Sequence, residues 1–99
     1  MTVEVSFNNS KNYIQVKGEL TSATVMQALE QFVRECKTLP QWVVDFTRVT
    51  RVDSSAIALL IELKRNARKK NKSLSFIYLP PTLLKIARLS QVEHLLTET

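Results

Sequence analysis

Three observations predict an α/β class, a single domain built on a four-stranded mixed sheet packed with helices. Stretches of apolar–polar alternation are interleaved with stretches of three- and four-residue apolar spacing, in the order ββαβαβαα. Strands that alternate with helices imply parallel crossovers, whereas two opening strands separated by a short polar turn imply an antiparallel hairpin. The 99 residues fit one domain, residues 1–99, with no repeat, linker or low-complexity segment, and 44% apolar content suffices for a modest core.

Each element has its own signal. Val3, Val5 and Phe7 alternate with Glu4 and Ser6, the period of a half-buried strand. Asn8, Asn9 and Ser10 make a turn. A second strand covers residues 13–16 and closes at Gly18, the one glycine of the chain. Thr21 or Ser22 is placed to cap a helix with Val25, Met26, Leu29, Phe32, Val33 and Cys36 on its apolar face. Gln27, Glu30, Gln31, Arg34 and Glu35 fill the opposite face, and Pro40 ends the segment.

Residues 42–61, WVVDFTRVTRVDSSAIALLI, organise the rest. Val43, Val44 and Phe46 read as a buried strand, and the adjacent valines suggest cover on both faces. Residues 47–55 read as a polar turn. Within it, Asp53, Ser54 and Ser55 offer oxygens to the free N–H groups of a following helix, with Ser54 as the expected cap. That helix runs to about Lys70 and is apolar nearly all round in its first two turns. Such a helix is either wedged between sheet and neighbouring helices or covered on one side by a partner. Leu74, Phe76 and Tyr78 alternate as a fourth strand, with Ile77 and Leu79 on the other side, until Pro80 and Pro81 stop it. Pro81 suits the first turn of a third helix carrying Leu83, Leu84, Ile86, Ala87 and Leu89. Ser90 is expected to cap a last short helix with Val92, Leu95 and Leu96.

Composition narrows the function. A single cysteine, Cys36, excludes an internal disulfide and fits a reducing compartment. No stretch approaches the roughly 20 apolar residues that span a bilayer, and no basic segment leads into an apolar one at the start. Cytoplasmic location without membrane insertion is the expectation. The net charge of +5 attracts polyanions, and Lys64, Arg65, Arg68, Lys69, Lys70 and Lys72 concentrate it. These cations read as a solvated helix end at the negative pole of the helix dipole, or as a surface near anionic lipid. No aromatic side chains interleave with them, so no stacking platform for nucleic acid is expected.

No catalytic residue, metal site or cofactor is expected. His94 and Cys36 are single, which leaves no metal-ligand set. Ser54, His94 and Asp45 supply the residue types of a triad without its elbow glycines. One glycine cannot build a phosphate-cradling loop. Asp45, Asp53 and Glu62 are too scattered for a carboxylate pair. Binding and switching are better candidates than catalysis.

The run VVDFTRVTRVDSSAIALL resembles the signature of STAS domains, named for sulfate transporters and anti-sigma-factor antagonists. KGEL at residues 17–20 is similar to the family's Gly-Glu-Leu before its first helix, and the element order agrees. The resemblance covers nearly the whole chain. In the antagonist branch, the serine after the aspartate is phosphorylated by a partner anti-sigma factor serine kinase, which switches binding off. The matching candidate phosphoacceptor is Ser54. In the MlaB branch, the cytoplasmic STAS subunit of the Mla phospholipid-transport ABC system, a Ser or Thr there contacts the ATPase subunit instead. RVDSSAIALLIELKRNARKKNKSLSF and YLPPTLLKIARLSQVEHLL resemble that second branch. One departure is Ala56, where antagonists usually carry glycine.

The resemblance therefore implies a non-catalytic subunit that supports the ATPase of an ABC transporter maintaining outer-membrane lipid asymmetry. It would lie in the cytoplasm, peripheral to the inner membrane through its partner complex. The alternative it implies is an antagonist switched at Ser54. The partner surface expected on this basis comprises Thr47, Arg48, Thr50, Arg51, Asp53, Ser54, Ser55, Ile57, Lys85 and Arg88.

Overall fold

A computed structural model describes residues 2–97, and side chains through residue 96. The elements are β1 (Val3–Asn8), β2 (Tyr13–Leu20), α1 (Val25–Cys36), β3 (Gln41–Val52), α2 (Ser55–Lys69), β4 (Ser73–Ile77), α3 (Pro81–Leu89) and α4 (Glu93–Thr97). The strands form one sheet in the order β1-β2-β3-β4. β1 pairs antiparallel with β2, and the β2–β3 and β3–β4 pairs are parallel. The hairpin and the two crossovers thus stand as the alternation of patterns predicts.

Alternation decides which face of the sheet is covered. Val3, Val5, Ile14, Val16, Leu20, Trp42, Val44 and Phe46 are buried on one side. α1 crosses that side over β1 and β2, and α2 lies beside it over β3 and β4. The opposite side carries Glu4, Ser6, Gln15, Lys17 and Thr47. α2 also touches α1, α3 and α4, which accounts for its nearly all-round apolar surface. Ala56, Ile57, Leu59, Leu60, Leu63 and Ala67 are all buried within the chain itself. The wedged reading of this helix is the one the structure contains.

Several local expectations are corrected. On α1 the buried residues are Ala28, Phe32 and Cys36, four apart, while Met26 and Val33 are exposed. Gln31, read as part of the solvated face, clamps the free edge of β1. Its Nε2 donates to the Val3 carbonyl at 3.3 Å, and its Oε1 accepts from the Val5 N–H at 2.6 Å. One side-chain amide thereby satisfies two edge groups that would otherwise invite another strand. Tyr78 is not in β4; it sits just past it with φ 57° and is 71% exposed. Leu89 is likewise exposed.

Both α2 and α3 end without glycine. After α2, Asn71 takes φ 55° and the Lys72 N–H donates to the Ala67 carbonyl at 2.8 Å. After α3, Gln91 takes φ 60° and the Val92 N–H donates to the Ala87 carbonyl at 2.9 Å. These are Schellman endings, which satisfy carbonyls orphaned in the last turn. Ser90 is therefore the C-cap of α3, not the N-cap of α4. Between α1 and β3, the buried Trp42 donates its Nε1–H to the Cys36 carbonyl at 3.1 Å. Burial, with a smaller push from Glu35, raises the Cys36 thiol to about 12, which leaves it inert.

Gly18 has φ 106°, and a Cβ built there would lie 2.4 Å from the Thr2 carbonyl oxygen. That oxygen accepts from the Glu19 N–H at 3.0 Å and cannot retreat without breaking the bond. Gly18→Ala is expected to lose about 2 kcal/mol or more in a urea titration, from a strained backbone plus the clash. An unchanged midpoint would contradict this geometry.

Candidate functional site

Two parallel strands finish side by side, with Leu20 of β2 opposite Val52 of β3. In open sheets of this kind, the loops beyond the carboxyl ends of the strands are where ligands and partners meet the fold. Here those loops are residues 21–24 and 53–54.

The approach to them is not the polar turn that the run TRVTR suggests. Residues 47–52 continue β3 to a length of 12 residues. Lys17 faces Arg48, Gly18 faces Val49 and Glu19 faces Arg51 across β2. Between Gln15 and Lys17, and again between Gly18 and Glu19, the register slips by one residue, so β3 carries two bulges. Bulges re-aim side chains. After them, Val49 and Val52 pack on the core, while Thr47, Arg48, Thr50 and Arg51 are exposed. β4 pairs only with β3 residues 41–45, so the second half of β3 has a strand on one side alone. On the other side, a groove of about 200 Å³ runs between Val49, Thr50, Arg51 and Val52 and the start of α3 at Pro80 and Thr82.

Asp53 ties the loops together. Its Oδ1 accepts from the Ser55 N–H at 2.8 Å, within the first turn of α2. Its Oδ2 accepts from the Ser22 N–H at 3.1 Å, across to the β2–α1 loop. Its own N–H donates to the Leu20 carbonyl at 3.2 Å. Desolvation pushes the carboxyl up. Hydrogen bonds from Ser22 and Ser55, with Arg51 nearby, outweigh that and hold it below the usual range. On the facing loop, the Thr21 hydroxyl accepts from the Ala23 N–H at 3.3 Å and so caps the turn leading into α1. The buried Thr24 hydroxyl donates to the Glu19 carbonyl at 2.7 Å and accepts from the Thr21 N–H at 3.0 Å.

Ser54 differs from its expected role. It occupies the N-cap position of α2 in helical conformation, φ −62° and ψ −20°, with no side-chain capping bond. Asp53 does the capping, and the Ser54 side chain is exposed at the helix start. Asp53, Ser54 and Ser55 therefore sit together with the overhang 47–52. Ile57 does not contribute: it is 7% exposed and belongs to the core. α3 begins beside Arg51, which puts Lys85 about one turn along it and Arg88 about two. Both are exposed, and Arg88 is paired with Glu93 at 3.0 Å. Ser22, expected only as a cap of α1, and Pro80, expected only as a strand stop, both border this site, as does Thr82, for which the sequence carries no signal.

The residue types of a triad are not brought together among the described residues. Asp45 is buried on the far side of the sheet plane, and Thr47 donates to it through both N–H and hydroxyl. Burial raises its carboxyl, but the bonds from Thr47 and Gln15 bring it below the usual range. Among the described residues, no hydrogen bond links Ser54, His94 and Asp45, and no group of three or more His, Cys, Asp or Glu gathers as a metal set.

A four-stranded mixed sheet covered by crossover helices, with an Asp–Ser turn at the end of the third strand, defines a STAS-type domain. The chain belongs to the family whose model is described as "Mlab, STAS domain", which matches residues 3–97. A STAS-domain containing protein of Pseudomonas aeruginosa is 29% identical over 82 residues, 83% of this chain and 81% of that protein. The anti-sigma factor antagonist SpoIIAA in its unphosphorylated form superposes with a TM-score of 0.64. It shares 16% identity, over 89% of this chain and 83% of that one. The fold is thus the STAS fold, with the order ββαβαβαα.

Asp53→Ala should cost about 1–2 kcal/mol, because it removes a cap and the bridge to Ser22. Ser54→Ala should cost less than about 0.5 kcal/mol, the usual range for a surface change away from such features. Paired urea titrations read the contrast, and equal losses would refute the assignment of the cap. The folded carboxyl of Asp53 is depressed, so its contribution is complete above the unfolded value of about 4 and is lost as pH falls through the folded value. Asp53→Asn should therefore flatten the acid limb of the stability profile.

Proposed function

We propose that this protein is a non-catalytic subunit that docks on the ATPase of an ABC phospholipid transporter and supports its assembly or activity. The observation that carries the proposal is Ser54: exposed, relieved of capping by Asp53 and held at a fixed place by the Asp53–Ser22 bridge. A serine freed from structural work on a rigid turn is available to a partner. Membership in the family described as "Mlab, STAS domain" supports the ATPase as that partner. The contact surface combines Ser54 and Ser55 with Thr47, Arg48, Thr50 and Arg51 of the β3 overhang and the Lys85 side of α3. Arg88 borders it through its ion pair with Glu93. The complex would be cytoplasmic and peripheral to the inner membrane. Among the described residues no helix is long and apolar enough to cross a membrane, so attachment through the partner suffices.

A second reading is favoured by the same exposure. In an antagonist of an anti-sigma factor serine kinase, Ser54 would accept phosphate. The phosphate would sit at the N-terminus of α2, where the helix dipole favours negative charge. The switch would then act on the interface more than on the fold.

Affinity-tagged protein expressed with its neighbouring genes should recover an ABC ATPase. Ser54→Glu should reduce recovery by about tenfold, while the melting temperature moves by less than about 2 °C. Normal recovery with Ser54→Glu would place the contact elsewhere. Phosphate on Ser54 after incubation with a serine kinase and ATP, without ATPase recovery, would select the second reading.

A further inference from the structure

The cations at the far end of α2 are not absorbed by this reading. α2 starts at the Ser54 turn and ends where β4 begins, so its last turns lie at the opposite end of the sheet. There a cleft of about 620 Å³ opens, lined by Lys64, Arg68 and Lys72 on one side and by Ser73, Ser75 and Leu95 on others. That volume lies within the range of sites that hold ligands or short peptides.

Two independent features meet in this cleft. The first is charge. Lys64 and Arg68 are four apart on α2 and point the same way; Lys72 follows just past the Schellman turn. Among the described residues, no carboxylate forms an ion pair with Arg68 or Lys72. The second is backbone. β4 is the last strand of the sheet, and among the described residues nothing pairs with its outer edge. Alternate N–H and C=O groups along Ser73–Ile77 therefore point outward. The other sheet edge, β1, is closed by the Gln31 amide, whereas among the described residues no side chain clamps β4 in this way.

We propose that this cleft receives an acidic, extended peptide segment, which adds to β4 as a fifth strand. Backbone bonding to an open edge gives such a segment its alignment, and the flanking cations select its charge. The same cations decide against the other occupants. A second copy paired edge to edge would bring two basic clusters together, and like charges across an interface oppose association. Nucleic acid or a lipid surface would satisfy the charge but leave the strand edge unpaired. Only an acidic polypeptide uses both. The proposal is independent of the docking surface at Ser54.

The test uses the whole chain and a fluorescein-labelled heptapeptide of alternating glutamate and valine, followed by polarisation. Micromolar binding is expected, weakening as sodium chloride is raised across the physiological range. Hydrogen exchange should slow at alternate amides of Ser73–Ile77 when the peptide is bound. The double variant Arg68→Glu/Lys72→Glu should bind about tenfold or more weakly, and Arg68→Ala/Lys72→Ala should fall between. The alanine pair guards against misfolding of the first variant, and thermal melts of both confirm that each is folded. The same peptide N-methylated at alternate residues should lose binding, because it cannot pair with the edge. Equal binding of the methylated peptide, of a lysine–valine analogue, or of duplex DNA or anionic vesicles in competition would overturn the proposal. So would absence of binding by the acidic peptide, particularly if charge reversal made the protein dimerise. The cations would then serve only to guard the edge.

Discussion

The Asp53 carboxylate holds together the end of the molecule where β2 and β3 finish. Two parallel strands that end together leave two loops with unpaired N–H groups facing the same small space. A single carboxylate between them accepts from both, one bond to Ser22 and one to Ser55. Bonds to a charged acceptor are roughly twice as strong as neutral ones, so one residue stiffens two connections. An asparagine could keep the acceptor geometry of one oxygen but not offer two. The backbone bond from Asp53 to Leu20 adds a third link between the same loops. Rigidity at a loop end is otherwise hard to obtain, since loops lack the repetitive bonding of strands and helices.

The overhang of β3 follows from a mismatch of lengths. β3 has 12 residues, β4 has 5 and β2 has 8. Two bulges let the longer strand stay paired with the shorter β2 by placing extra residues out of register. Each bulge also changes which side chains face the core. The polar run of residues 47–51 can therefore be both strand and surface: Val49 returns to the core while Arg48 and Arg51 stay outside. On the side that β4 does not reach, α3 starts close enough to form a groove with the overhang. The surface near Ser54 thus owes its shape to missing strand pairing as much as to the turn.

The architecture was legible because it rests on periodicities that survive in a single sequence. Val3, Val5 and Phe7 alternate whatever their partners, and the β1–β2 turn is short whatever lies beyond it. What was illegible depends on long-range pairing. TRVTR reads as a turn by polarity, yet its two threonines and its valine are β-branched, and pairing with β2 makes it a strand. The α1 face was misread because alanine is small: Ala28 is fully buried where Met26 looks more apolar. The cap was misread by one position, since Asp-Ser-Ser offers three oxygen-bearing side chains and only geometry shows which one bonds. Ile57, expected at the partner surface with the start of α2, is instead buried in the chain's own core. Membership in the STAS family was readable from the same central stretch that contained these errors. Its motif is a pattern of residue types, and the errors concern where their side chains go.

The two ends of α2 carry opposite chemistries, and the parallel sheet is the reason. In a β–α–β crossover the helix runs antiparallel to the strands it joins, so it starts at their carboxyl ends and finishes at their amino ends. The start meets loops rich in side-chain oxygens, and an aspartate there complements the positive pole of the helix dipole. The finish meets the first residues of β4, and Arg68 and Lys69 complement the negative pole. The helix is about 22 Å long at 1.5 Å per residue, about three Debye lengths at physiological salt. Charges brought to one end are therefore largely screened from the other. Any coupling between the two surfaces has to pass through movement of α2 itself. The inner face of that helix is packed against the sheet and three helices, which resists such movement. The two ends of α2 are consequently kept apart by distance and by packing.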